Sequence, residues 1–134
     1  MGILAVRHAC ELGCPERVIL GTDGPAGSGA QRLGILRLIA LLSSMADIPA
    51  EETFCFATGS TARLRGLDSG QIAVDRAADR VFLDRAQQTA GRDLLESVRL
   101  GDIPAVGMVL VDGAIRRQRR RNTPPATEVP VVVR

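Results

Sequence analysis

Arg17-Val18-Ile19-Leu20-Gly21-Thr22-Asp23-Gly24-Pro25-Ala26-Gly27-Ser28-Gly29 is the stretch on which the reading of this 134-residue chain turns. The run from Val18 to Gly21 is short, continuous and apolar, with β-branched side chains, the pattern of a strand buried on both faces in a parallel sheet. It delivers Thr22 and Asp23 at its C-terminal end. A loop too rich in glycine and proline for a regular element follows, and then a strongly apolar helix predicted over residues 31–45, with Ser28 available near its start as a cap. In α/β folds the C-terminal end of the sheet is where ligands bind and catalytic residues sit. A carboxylate there can take a proton from water, ligate a metal or orient a substrate nitrogen. Position alone equally allows Asp23 to cap the loop through backbone hydrogen bonds. Gly24, Gly27 and Ser28 either line a substrate pocket or form a flexible turn feeding the helix.

Strand, glycine-rich loop and helix is also an arrangement that cradles phosphates, but the details oppose it. The spacing of Gly21, Gly24, Gly27 and Gly29 does not fit G-x-G-x-x-G, and Asp23 would put negative charge beside the phosphates. All 17 basic residues are arginine, so lysine chemistry, a P-loop lysine included, is excluded. His8 is the one histidine, which excludes a metal site built on two or more histidines of this chain. A triad of Ser28, His8 and Asp23 lacks the G-x-S-x-G elbow around the serine. His8, Cys10 and Cys14 are poorly spaced for a metal, since Cys10 and Cys14 share a helix face and His8 points elsewhere.

Hydrophobic side chains at 46% and charged ones at 24% describe a globular chain with a core of its own. The formal charge of +2 suggests no nucleic-acid partner, and with 2% aromatics there is little from which to build a base-stacking surface. Arg116, Arg117, Arg119, Arg120 and Arg121 form a local basic run, read first as a solvated strand edge and second as a patch for an anionic partner. Three cysteines and no signal-like segment point to reduced thiols and a cytoplasmic setting, and no apolar run reaches the ~20 residues that span a bilayer.

Outward from the central stretch, residues 3–13 read as a short helix stopped by Gly13. Asp47, Pro49, Glu51 and Glu52 mark a helix start, and the helix runs through Ala57. Gly59 and Gly66 bracket another short turn of helix. Residues 71–74 and 80–83 read as strands separated by an Asp75-Arg76 turn, residues 92–100 as an amphipathic helix, and Val106 to Ile115 as a hairpin turning at Asp112-Gly113. The proline-rich tail from Asn122 is expected to be irregular or extended. Two structural units, residues 1–67 and 68–134, are expected to meet near residue 67.

Several of these motifs, in this order, resemble one family. Val18-Ile19-Leu20-Gly21-Thr22-Asp23, the helix with Leu33-Gly34-Ile35-Leu36-Arg37, Pro49-Ala50-Glu51-Glu52, Ala57-Thr58-Gly59-Ser60-Thr61-Ala62-Arg63, Gly66-Leu67-Asp68-Ser69-Gly70, Ala78-Asp79-Arg80-Val81-Phe82-Leu83-Asp84 and Val109-Leu110-Val111-Asp112-Gly113 resemble the C-terminal portion of a metal-dependent amidohydrolase. Gly101-Asp102-Ile103-Pro104 and Arg121-Asn122-Thr123-Pro124-Pro125-Ala126 are most similar to enamidase-type cyclic amidases.

The resemblance implies an α/β fold: the last strand and helices of a (β/α)8 barrel over residues 1–67, followed by part of a small β-sandwich over residues 68–134. It implies a hydrolase acting on non-peptide carbon-nitrogen bonds, of cyclic amides, through metal-activated water, with this chain an incomplete C-terminal piece. Asp23 would match the metal-proximal aspartate that accepts a proton from the attacking water. The divalent metal, zinc or iron, would be held by Asp23 together with ligands on earlier barrel strands that this chain does not carry, so none is expected in the isolated chain. The expected partners are the N-terminal barrel half, or a second copy of the chain, and a small-molecule substrate. The alternative is a non-catalytic interaction protein that retains this half of the fold.

Overall fold

The computed structural model describes residues 2–24, 31–118 and 123–133. Among the described residues the regular elements are five α-helices, one 3-10 turn and three strands: α1 (Gly2–Glu11), a 3-10 turn (Pro15–Arg17), α2 (Gly34–Ala46), α3 (Ala50–Ala57), α4 (Gly59–Arg65), β1 (Arg80–Asp84), α5 (Leu94–Arg99), β2 (Ala105–Val111) and β3 (Ala114–Arg117).

The ends of α1, α4 and α5 follow one rule. Gly13, Gly66 and Gly101 each adopt a left-handed conformation just past the helix. In α1, the Cys14 amide then donates to the Ala9 carbonyl and the Gly13 amide to that of Cys10, satisfying carbonyls the helix leaves open. Leu67 and Asp102 repeat the first of these bonds in α4 and α5, to Ala62 and Ser97. Leucine or valine in that conformation would be strained, which is why the sequence places glycine there.

Helix α2 buries Ile39, Leu42, Ser43 and Ala46, a spacing of three to four that forms one stripe. Ser43 donates to the Ile48 carbonyl at 2.9 Å and ties α2 to the connection into α3. Two apolar clusters result. One joins Val18, Ala46, Ile48 and Phe56 beneath Ile3, Val6 and Cys10 of α1. The other joins Ile39, Ala50 and Val98 with Leu36, Phe54 and Leu94, so that α5 leaves the β-rich half of the chain and packs on α2 and α3. Leu20 touches both clusters.

Residues 17–21 are not a strand, contrary to the expectation. Val18 is extended and buried, Ile19 and Leu20 are half-buried, and the Leu20 amide donates to the Phe56 carbonyl at 3.3 Å. The local conformation is strand-like, but a strand also needs a neighbouring strand, and among the described residues none runs beside it. Residues 71–74 are likewise a solvent-facing loop and not a strand. The strand expected at 80–83 is present as β1.

The sheet is antiparallel in the order β1-β2-β3. Phe82 faces Met108 across β1 and β2, with a register shift after Phe82, and Leu110 faces Ile115 across the hairpin. Asp112 and Gly113 both have positive φ, as the two-residue turn read from the sequence requires. The tail lies irregular over this sheet. Pro130 passes so close to Gly107 that a Cβ there would stand 3.1 Å from it, and the Glu128 amide donates to the Asp84 carboxylate at 2.6 Å. Among the described residues no helix is long and apolar enough to cross a membrane.

Candidate functional site

In the coil after the 3-10 turn Leu20 touches both apolar clusters, Gly21 is exposed and Thr22 is half-buried. Asp23 follows with φ of 44°, in the left-handed region that aspartate tolerates better than most residues. The chain therefore turns at Asp23 and holds it, with Gly24, in solvent. Thr22, half-buried, packs against the first residue of α2: a Cβ on Gly34 would meet the Thr22 methyl carbon at 2.6 Å and the Gln31 side-chain oxygen at 3.3 Å. This contact brings the start of α2 beside Asp23. Gly27 and Ser28 lie outside the described residues.

Asp23 and Gly24 are the sequence-predicted site residues that fall within the described residues, and both are exposed. The other chemistry-bearing residues are dispersed. His8 Nδ1 lies 3.8 Å from Glu11 on the exposed side of α1. Cys10 turns toward the core cluster, and burial, then the charges of Glu52 and Glu11, push its thiol up from the ordinary value. The Cys14 thiol donates to the Leu12 carbonyl at 3.4 Å, and Cys55 is exposed on α3. All three are free thiols.

A divalent metal does not fit these residues alone. Among the described residues no three His, Cys, Asp or Glu side chains converge to hold an ion, and Asp23 offers one exposed carboxylate where a tight site needs three or four ligands. His8 faces Glu11 and contributes nothing near Asp23.

One feature was invisible to the sequence. A cleft of about 490 Å³ opens between the α2–α3 connection and α5, lined by Asp47, Pro49, Glu51, Arg92, Glu96 and Arg99. Its walls come from segments some 45 residues apart, and mixed charges line it without a nucleophile-base pair, so it forms a polar seam and no catalytic constellation. Arginine 116 and 117 are exposed on the edge strand β3, as expected of a solvated edge, and the rest of that run lies outside the described residues.

No family model matches the chain. It is 41% identical to the enamidase of Eubacterium barkeri over 120 residues, which are 90% of this chain and 31% of that enzyme. The crystal structure of enamidase, a member of the amidohydrolase superfamily, superimposes with a TM-score of 0.89 at 38% identity, covering 95% of this chain and 33% of that one. The chain thus spans about a third of the length of the relatives it matches, and over that third it is similar to enamidase in sequence and backbone.

Proposed function

We propose that this chain supplies one third of an amidohydrolase of the enamidase type, an enzyme that hydrolyses the carbon-nitrogen bond of a small cyclic amide. In this reading residues 17–23, which pair with no strand among the described residues of this chain, would take the place of the last strand of a (β/α)8 barrel once the other strands stand beside them. Helix α2 would be its last helix, while β1, β2 and β3 belong to a small β-sandwich. The observation that carries it is the agreement of sequence and backbone with enamidase over nearly the whole chain, with 41% identity and a TM-score of 0.89.

Asp23 is the residue assigned to the chemistry. A water oxygen adds to the amide carbonyl carbon, and its proton passes to the Asp23 carboxylate. Asp23 then returns that proton to the ring nitrogen as the carbon-nitrogen bond breaks, leaving a carboxylic acid and a free nitrogen on one opened molecule. The Thr22 contact on Gly34 supports this assignment, because it fixes the backbone on which the carboxylate stands. Gly24, Gly27 and Ser28 would border the substrate. The divalent metal implied by the superfamily, zinc or iron, requires ligands from the two thirds of the fold that this chain does not span. The free thiols suit a reducing, cytoplasmic compartment.

The test is a chimera in which this chain replaces the matching third of the Eubacterium barkeri enzyme. The chimera should hydrolyse the amide, and Asp23→Asn should lower turnover by about a hundredfold or more. Asp112→Asn, in the hairpin turn, should leave turnover unchanged. Near-full turnover of the Asp23→Asn chimera would remove Asp23 from the reaction.

A further inference from the structure

We propose that Thr61 is a positioning residue for Asp23: its hydroxyl fixes the Phe56 carbonyl, and that carbonyl tethers the coil on which the Asp23 carboxylate stands. The proposal deepens the preceding reading and rests on it for one premise, that Asp23 carries the proton in the amide hydrolysis.

The Phe56 carbonyl lies in the last turn of α3, where a helix leaves its final carbonyls without amides of its own. Phe56 is sealed from water, so the protein must supply the donors. Two converge on it. The Thr61 hydroxyl, from α4, donates at 2.7 Å, and the Leu20 amide, from the coil, donates at 3.3 Å. A carbonyl oxygen has two lone pairs, and these two donors occupy both. The short bond from Thr61 sets where the oxygen sits, and the longer one from Leu20 follows it.

Among the described residues, the Leu20 bond is the one backbone–backbone hydrogen bond that residues 19–23 make. Asp23 stands three residues further on with its side chain in solvent, so its place depends on what holds the coil. Thr22 limits the coil on the side of α2 through Gly34, and the Phe56 carbonyl limits it on the side of α3. Thr58 provides the contrast. Its hydroxyl donates to the Phe54 carbonyl at 2.8 Å, on the same helix end, but among the described residues no coil amide reaches that oxygen.

A carboxylate that takes a proton from water must stand within hydrogen-bond reach of it, so a displaced coil slows the proton transfer. Thr61→Val keeps the branched shape and removes the donor. The Phe56 oxygen is then one partner short in a buried place, the end of α3 loosens, and the coil loosens with it. Substrate uptake is not touched by this route, so the loss falls on kcat.

Kinetics of the enamidase chimera and amide exchange of the isolated chain test this. In the chimera, well below its melting temperature, Thr61→Val should lower kcat by about tenfold with KM within about twofold. Thr61→Ser, which returns the hydroxyl, should restore kcat, and Thr58→Val should leave it unchanged. In the isolated chain, Thr61→Val should speed exchange of the Leu20 amide by at least about fivefold, and neither Thr61→Ser nor Thr58→Val should do so. Should Thr61→Val fail to fold, Thr61→Ala carries the same comparison. Unchanged kcat in a Thr61→Val protein that is merely less stable would overturn the proposal. So would a fall in kcat with the Leu20 amide unaffected, a Thr61→Ser variant as slow as Thr61→Val, or an equal loss in Thr58→Val. If Asp23→Asn abolishes turnover while Thr61→Val does not, only the positioning role of Thr61 fails. Near-full turnover of Asp23→Asn would instead sink the assignment of Asp23, whatever the Leu20 amide shows.

Discussion

The Thr22 methyl carbon stands 2.6 Å from where a Cβ on residue 34 would be, so the coil that carries Asp23 and the first residue of α2 are packed backbone against side chain. Gly34→Ala must displace Thr22 or the helix start, and should cost about 1–3 kcal/mol in urea unfolding. Thr22→Ser removes the opposing methyl, and the double variant should recover most of that loss. Additive effects of the two substitutions would show that the contact does not set this geometry.

Phe56 is 2% exposed at the centre of the cluster formed with Val18, Ala46 and Ile48, and its carbonyl also accepts from Leu20 and Thr61. Phe56→Ala should destabilise the chain by about 3–5 kcal/mol by leaving a cavity. Cys55→Ala, at the exposed neighbouring position, should stay within about 0.5 kcal/mol in the same denaturation series.

The start of α5 is capped twice. Asp93 Oδ1 accepts from the Glu96 amide at 2.8 Å, and Asp93→Ala should cost about 1 kcal/mol of stability by thermal unfolding. Glu96 in turn accepts from the Arg92 guanidinium at 2.9 Å and from the Arg92 amide at 2.8 Å, and these bonds hold its carboxyl below the ordinary glutamate value.

A depressed carboxylate stabilises the fold above its unfolded pKa and loses that contribution as pH falls through the lower folded value. The stability difference between the native chain and Glu96→Gln should therefore be present at neutral pH and vanish in acid. The carbon resonance of the Glu96 carboxyl should titrate below that of a free glutamate. A midpoint at or above the ordinary value would contradict the bond to Arg92.

Burial raises the Cys10 thiol, and the Glu52 and Glu11 charges act in the same direction, so less of it is thiolate at neutral pH. Iodoacetamide followed by mass mapping should label exposed Cys55 well before Cys10. Adding denaturant should bring the Cys10 rate up. Equal rates in the native chain would place Cys10 outside the cluster.

The elements legible in the sequence were those whose cause is local. The glycine stops after α1 and α4, the apolar stripe of α2, the helical span that contains α5 and the Asp112-Gly113 turn each follow from a few neighbouring residues. The likeness to enamidase was readable as well, because it rests on motif order along the chain.

Only the tertiary structure decided what residues 17–21 and 71–74 become. Both have strand composition, and both stay outside any sheet among the described residues, since a strand exists only where another backbone answers its amides and carbonyls. It also decided that Thr22 rests on Gly34, that α5 packs on α2 and α3, and that a polar cleft opens between segments far apart in sequence. Propensity and capping are summed over neighbours in the chain, whereas pairing, burial and the placing of Asp23 depend on which distant segments come into contact.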